Sequence, residues 1–125
     1  MGIHAEIEAF LADYFDVLYT QDQNLFARVF LADSVLYSQS DGETTVRPYA
    51  VYKDILANRE SPQSQGHPRA EEIQMIDVLS ADMAVARVQL RLFGSVMADH
   101  LCLLRTTDGW RIAAKTFTRV GPATD

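Results

Sequence analysis

The sequence predicts an α+β domain in which helices come first and a mostly antiparallel sheet follows. Two observations carry this. Apolar residues recur at helical spacing through residue 59, and beyond residue 68 the chain changes to runs that alternate between two faces, separated by short polar turns. No composition break divides the 125 residues, so 1–125 is expected to form a single domain with an ordinary core.

Ile3, Ile7, Phe10, Leu11, Tyr14 and Leu18 fall on one stripe, which predicts an amphipathic helix over 3–20. Asp22 is placed to cap a second helix over 22–31, with Leu25, Phe26, Val29 and Phe30 as its apolar side. Residues 34–38 then read as a short strand that turns at Asp41-Gly42 into 44–46. Pro48 suits the first turn of a third helix running to about Arg59, on the spacing of Tyr49, Tyr52, Ile55 and Leu56. The stretch 60–68 is rich in breakers and reads as a loop. Strands over 69–79, 82–93, 96–106 and 110–119 complete an antiparallel meander. Ala84, Ala86, Val88, Leu90 and Leu92 give the second of these a wholly apolar face. The last strands are apolar on both faces, so helices can cover one and a second copy of the chain is the expected cover for the other.

A formal charge of −6 with scattered basic residues argues against nucleic acid or an anionic membrane as a partner. No stretch is long and apolar enough for a bilayer span and the N-terminus lacks a signal-peptide pattern, so a cytoplasmic protein is expected. The single cysteine, Cys102, excludes an internal disulfide and is expected to pack as a small hydrophobe. No histidine or cysteine pair has metal-ligand spacing and no phosphate-binding glycine loop or nucleophile elbow occurs, so neither metal nor cofactor is expected.

Asp99 stands out. It interrupts the apolar run Val96 to Leu104, sharing one strand face with Met97, Leu101 and Leu103. A carboxylate there needs a partner, a proton or a pocket. Either it is a neutral donor facing a ligand, or it is a charged group tied to an arginine of the same meander, Arg87, Arg91 or Arg105. Tyr14 has two readings as well: a core ring whose hydroxyl finds an acceptor, or a donor into a cavity. His100 points away from Asp99 in a regular strand, which makes a catalytic pair of these neighbours geometrically poor.

The segments Tyr14 to Asp22, Phe30 to Val35, Asp99-His100-Leu101 and Asp108 to Ile112 resemble the nuclear-transport-factor-2-like (NTF2-like) superfamily, which takes in the SnoaL-like and ketosteroid-isomerase-like proteins. Within it the chain looks most like the group labelled putative lumazine-binding. The resemblance implies a cystatin-like or NTF2-like cone, with three N-terminal helices packed on a strongly curved, mostly antiparallel sheet around a cavity. Ketosteroid isomerase, used as a worked case of a tyrosine and a protonated aspartic acid donating to an oxyanion, is similar at Tyr14 and Asp99. Its base position corresponds to Ser38, whose hydroxyl cannot abstract a proton without a neighbouring base.

Three functions follow as expectations. The first is binding of a small apolar or aromatic molecule in the cone, with Tyr14, Ser38, Tyr52, Asp99 and Leu101 at the site. The second is an isomerase, dehydratase or cyclase in which Tyr14 and Asp99 act catalytically and His67 or Asp41 supplies the base. The third is a non-catalytic, dimeric interaction domain whose cone is filled by its own side chains.

Overall fold

The computed structural model describes residues 2–124, and it has the expected α+β architecture: three helices packed on one face of a six-stranded sheet. The helices are α1 (Ile3–Thr20), α2 (Gln23–Val29) and α3 (Tyr49–Asn58). The strands are β1 (Phe30–Ser40), β2 (Glu43–Pro48), β3 (Glu71–Val78), β4 (Met83–Leu92), β5 (Ser95–Thr106) and β6 (Gly109–Pro122), in the order β2-β1-β6-β5-β4-β3. Among the described residues, only the β1–β6 pair is parallel.

The apolar stripe of α1 is buried at Ile7, Phe10, Leu11, Tyr14 and Leu18, joined by Phe15 and Val17. Its end is set by Gln21, which takes the left-handed conformation (φ 57°) while its N–H donates to Val17 O. Asp22 then caps α2 by accepting from the Leu25 N–H at 2.9 Å. This helix stops at Val29, two residues before the predicted end, because Phe30 and Leu31 are drawn into β1 beside Ile112 of β6. The two-residue Asp41-Gly42 turn (φ 50° and 79°) joins β1 to β2, as that dipeptide favours.

Four register irregularities interrupt the sheet. Register shifts occur between Phe30 and Val35 on β1, between Ile73 and Met75 on β3, at Cys102/Leu103 opposite Ala113 of β6, and at Val96/Met97 opposite Val120. The helices cover the face bearing Leu36, Ala86, Val88, Leu101, Leu103 and Ile112, all buried. The other face carries Tyr37, Arg87, His100, Cys102 and Thr116 in exposed positions. Cys102 is therefore exposed in the single chain rather than packed as a core hydrophobe, since alternation along β5 turns it away from the helices.

Candidate functional site

A cavity of about 270 Å³ opens between α3 and the inward face of the sheet. Its walls come from five strands, one helix and one turn. Tyr52 of α3 faces Leu36 of β1, Met97 and Asp99 of β5, and Lys115 and Phe117 of β6. At the mouth stand Arg47 of β2, Arg59 just past α3, and the β4–β5 turn at Phe93.

Asp99 is 2% exposed and Lys115 4%, and the Lys115 Nζ lies 3.5 Å from Asp99 Oδ2. The Tyr14 hydroxyl donates to the same carboxylate oxygen. The cation expected among Arg87, Arg91 and Arg105 is thus a lysine on the neighbouring strand. The reason is the irregularity at Ala113. Trp110 and Ile112 point inward, and a regular β6 would turn Lys115 outward, but the extra residue shifts the phase so that Lys115 and Phe117 join the inward face. Of the three arginines, Arg105 reaches Glu6 at 3.6 Å and Arg91 Nε donates to Phe93 O at 3.2 Å. Arg87 is exposed on the far face.

Tyr14 takes the first of its two readings, a core ring whose hydroxyl has found an acceptor. Its ring is fully buried against Phe15 and Phe30, and its hydroxyl supports Asp99 from behind without lining the cavity. Burial, with the Asp99 charge and Tyr52 acting in the same direction, raises the Tyr14 hydroxyl well above its usual value, so it stays a donor. A consequence for stability follows. Below pH of about 10 the phenol is protonated in both states, but above it the unfolded chain releases a proton that the folded chain retains, and stability falls by about 1.4 kcal/mol per pH unit from this group. Tyr14→Phe should remove that part of the alkaline slope, and at neutral pH should cost about 1–3 kcal/mol by leaving Asp99 short of a donor. Urea titrations of both proteins between neutral and alkaline pH would check it, and an unchanged slope would refute it.

Other predicted site residues are distributed less closely. Tyr52 lines the cavity, 3% exposed, with the Lys115 Nζ 5.5 Å from its ring centre. Leu101 lies on the Asp99 face, but it is fully buried and does not reach the cavity. Ser38 donates to the Phe117 carbonyl at 2.7 Å and is not among the cavity's lining residues. His67 stands behind Phe93, with ring centres 6.1 Å apart, and its Nδ1 is buried without a partner. Asp41 is exposed at the β1–β2 turn, away from the cavity wall. Among the described residues, no cluster of His, Cys, Asp or Glu could hold a metal ion.

Sequence reasoning missed Lys115, Arg47 and Arg59 as site residues. The Arg59 guanidinium is held on two sides. The Gln21 amide is assigned the orientation that satisfies both of its ends, its nitrogen donating to Leu56 O at 3.0 Å and its oxygen accepting from Arg59 Nε at 3.0 Å, and the Arg59 Cζ sits 5.0 Å from the Phe93 ring centre. Phe93 itself has φ 58°, a left-handed conformation that is an outlier for a bulky side chain, while the neighbouring Gly94 does not adopt it. The Arg47 Cζ lies 5.4 Å from the Phe117 ring centre.

A family model described as putative lumazine-binding matches residues 3–118. No curated protein sequence matches. Among solved structures, an NTF-2-like protein of unknown function from Silicibacter pomeroyi DSS-3 aligns with a TM-score of 0.81 and 18% identity, over 92% of this chain and 93% of that one. An NTF2-like protein of unknown function from Shewanella baltica OS155 gives 0.79 and 19%, over 93% and 92%. A ketosteroid isomerase-like protein from Erwinia carotovora atroseptica SCRI1043 gives 0.70 and 18%, over 94% and 96%. At these identities the likeness is one of fold.

Proposed function

Since the chain belongs to the putative lumazine-binding family and has the NTF2-like fold, we propose that it binds a small, flat aromatic or heterocyclic molecule in the cone cavity. The observation that carries this is the cavity itself: about 270 Å³, walled by Tyr52, Phe93, Phe117, Leu36 and Met97, with a buried Asp99–Lys115 pair as its polar feature. That volume suits a two-ring molecule, and the family's description names lumazine, which is one. The Lys115 ammonium and Asp99 carboxylate supply a donor and an acceptor at adjacent points of the wall, able to orient a heterocycle's carbonyl and N–H groups.

Turnover of the isomerase type finds less support. Asp99 is the one carboxylate lining the cavity among the described residues, no imidazole lines it, and Asp99 already accepts from Tyr14 and faces Lys115. A base free to take a substrate proton is what that chemistry requires. The uncovered sheet face around His100 and Cys102 supports a second copy of the chain as partner; a monomer mass in sedimentation equilibrium would overturn that part. Among the described residues, no helix is long and apolar enough to cross a membrane.

Titration of the isotope-labelled protein with lumazine and with 2-naphthamide, followed by NMR, tests the site. Shifts are expected to centre on Tyr52, Met97 and Phe117 and to vanish in Ser95→Trp, which puts a ring at the cavity wall. Binding undiminished in that variant, or shifts centred elsewhere, would overturn the assignment.

A further inference from the structure

The charge of the cavity wall is opposite to that of the chain. The protein carries −6, yet three cations, Arg47, Arg59 and Lys115, line the cavity against one carboxylate, Asp99. Asp99 is committed to Lys115 at 3.5 Å and to the Tyr14 hydroxyl. Arg47 and Arg59 have no acidic partner among the described residues. Unpaired guanidinium groups at a partly enclosed wall are costly unless something supplies the missing charge.

Arg59 shows most directly what is missing. Gln21 holds its Nε and Phe93 supports its face, while Nη2 is buried with no hydrogen-bond partner. Buried donors are nearly always satisfied, so an orphaned one beside a cavity points to a group that belongs there. Burial lowers the Arg59 pKa from its usual value, and the Arg47 charge acts in the same direction, against a favourable effect of Tyr52. An anion between the two arginines would relieve both penalties. Each guanidinium also lies over an aromatic ring of the same wall, Arg59 on Phe93 and Arg47 on Phe117, a position that supports the cation while its N–H groups serve as donors, those of Arg59 beyond the Nε that Gln21 takes.

We infer that the ligand of this cavity is an aromatic carboxylate, its ring system among Tyr52, Met97 and Phe117 and its carboxylate bound at the mouth by the guanidinium groups of Arg47 and Arg59. The inference rests on the cavity being a ligand site, as proposed above, and adds the ligand's charge and orientation. With Arg59 Nε taken by Gln21, the two arginines offer few donors, a number that suits the two oxygens of a carboxylate, although a phosphate monoester offers the same negative oxygens.

Binding of 2-naphthoate, 2-naphthamide and 2-naphthyl phosphate, measured by calorimetry on the wild-type chain, separates the outcomes. The carboxylate is expected to bind at least about tenfold more tightly than the amide, the usual scale for charge-assisted hydrogen bonds. That advantage should shrink as salt rises and should disappear in both Arg59→Met and Arg47→Met, with affinity for the amide retained. Arg47→Met lies outside the Gln21 network, so it keeps the test valid if Arg59→Met folds poorly. Equal affinity for carboxylate and amide would overturn the anion inference and leave the cavity reading standing. Tighter binding of the phosphate than the carboxylate would overturn the carboxylate assignment. Failure of all three probes to bind would overturn the cavity reading and this inference together.

Discussion

Asp99→Leu is expected to destabilise the protein by about 3–5 kcal/mol, the usual effect of removing one partner of a buried ion pair. Lys115, 4% exposed, would be left without its counter-charge, and the Tyr14 hydroxyl would lose its acceptor. Against a total stability of about 5–15 kcal/mol for such a domain, this is a large fraction. The pair itself need not be strongly stabilising, because two charges withdrawn from water regain little more than they lose. The double variant Asp99→Leu with Lys115→Met should therefore recover most of the loss. Urea denaturation of the two single variants and the double variant gives the coupling energy. Additive effects, with no recovery in the double variant, would show that the two groups do not depend on each other.

Phe26→Ala should cost about 3–5 kcal/mol, as truncation of a fully buried aromatic side chain generally does. Phe26 stacks on Phe30 with ring centres 4.8 Å apart, meets Tyr49 at 4.9 Å and meets Tyr52 at 5.9 Å. One ring thus ties α2 to α3 and to the start of β1. The loss should extend to the site, because Tyr52 forms the α3 side of the cavity and would lose its backing. Phe26→Leu, which keeps most of the volume, should retain most of the stability. Denaturation midpoints for both variants would check this, and equal losses would argue against a packing origin.

Much of the fold is legible in the sequence because its signals are local and agree with one another. The stripe from Ile3 to Leu18, the cap at Asp22 and the alternation in Met83 to Leu92 each reappear as elements, with ends moved by a few residues. Half of the central site is legible for a different reason. Tyr14 and Asp99 are polar atoms in apolar contexts, and burying both leaves each in need of the other. Lys115 is hidden because a single inserted residue on β6 reverses the phase of alternation, and nothing in Ala113-Ala114 announces it. Arg47 and Arg59 are hidden because they sit at element ends, where periodicity gives no orientation. Only the folded chain brings β2 and the end of α3 to one opening.

The left-handed turn at Phe93 separates two jobs that most small domains must perform with the same residues. Leu92 and Ser95 close the β4–β5 ladder, and the two residues between them stand outside strand pairing. One side of the opening is thus set by a turn that lies outside the β4–β5 ladder and is held by two bonds of its own, Ala123 N–H to Gly94 O at 3.0 Å and Arg91 Nε to Phe93 O at 3.2 Å. A change at residue 93 reshapes that side of the opening without replacing a residue of the β4–β5 register. If the cavity is a ligand site as proposed, its selectivity is open to change at residue 93 without altering a paired strand residue.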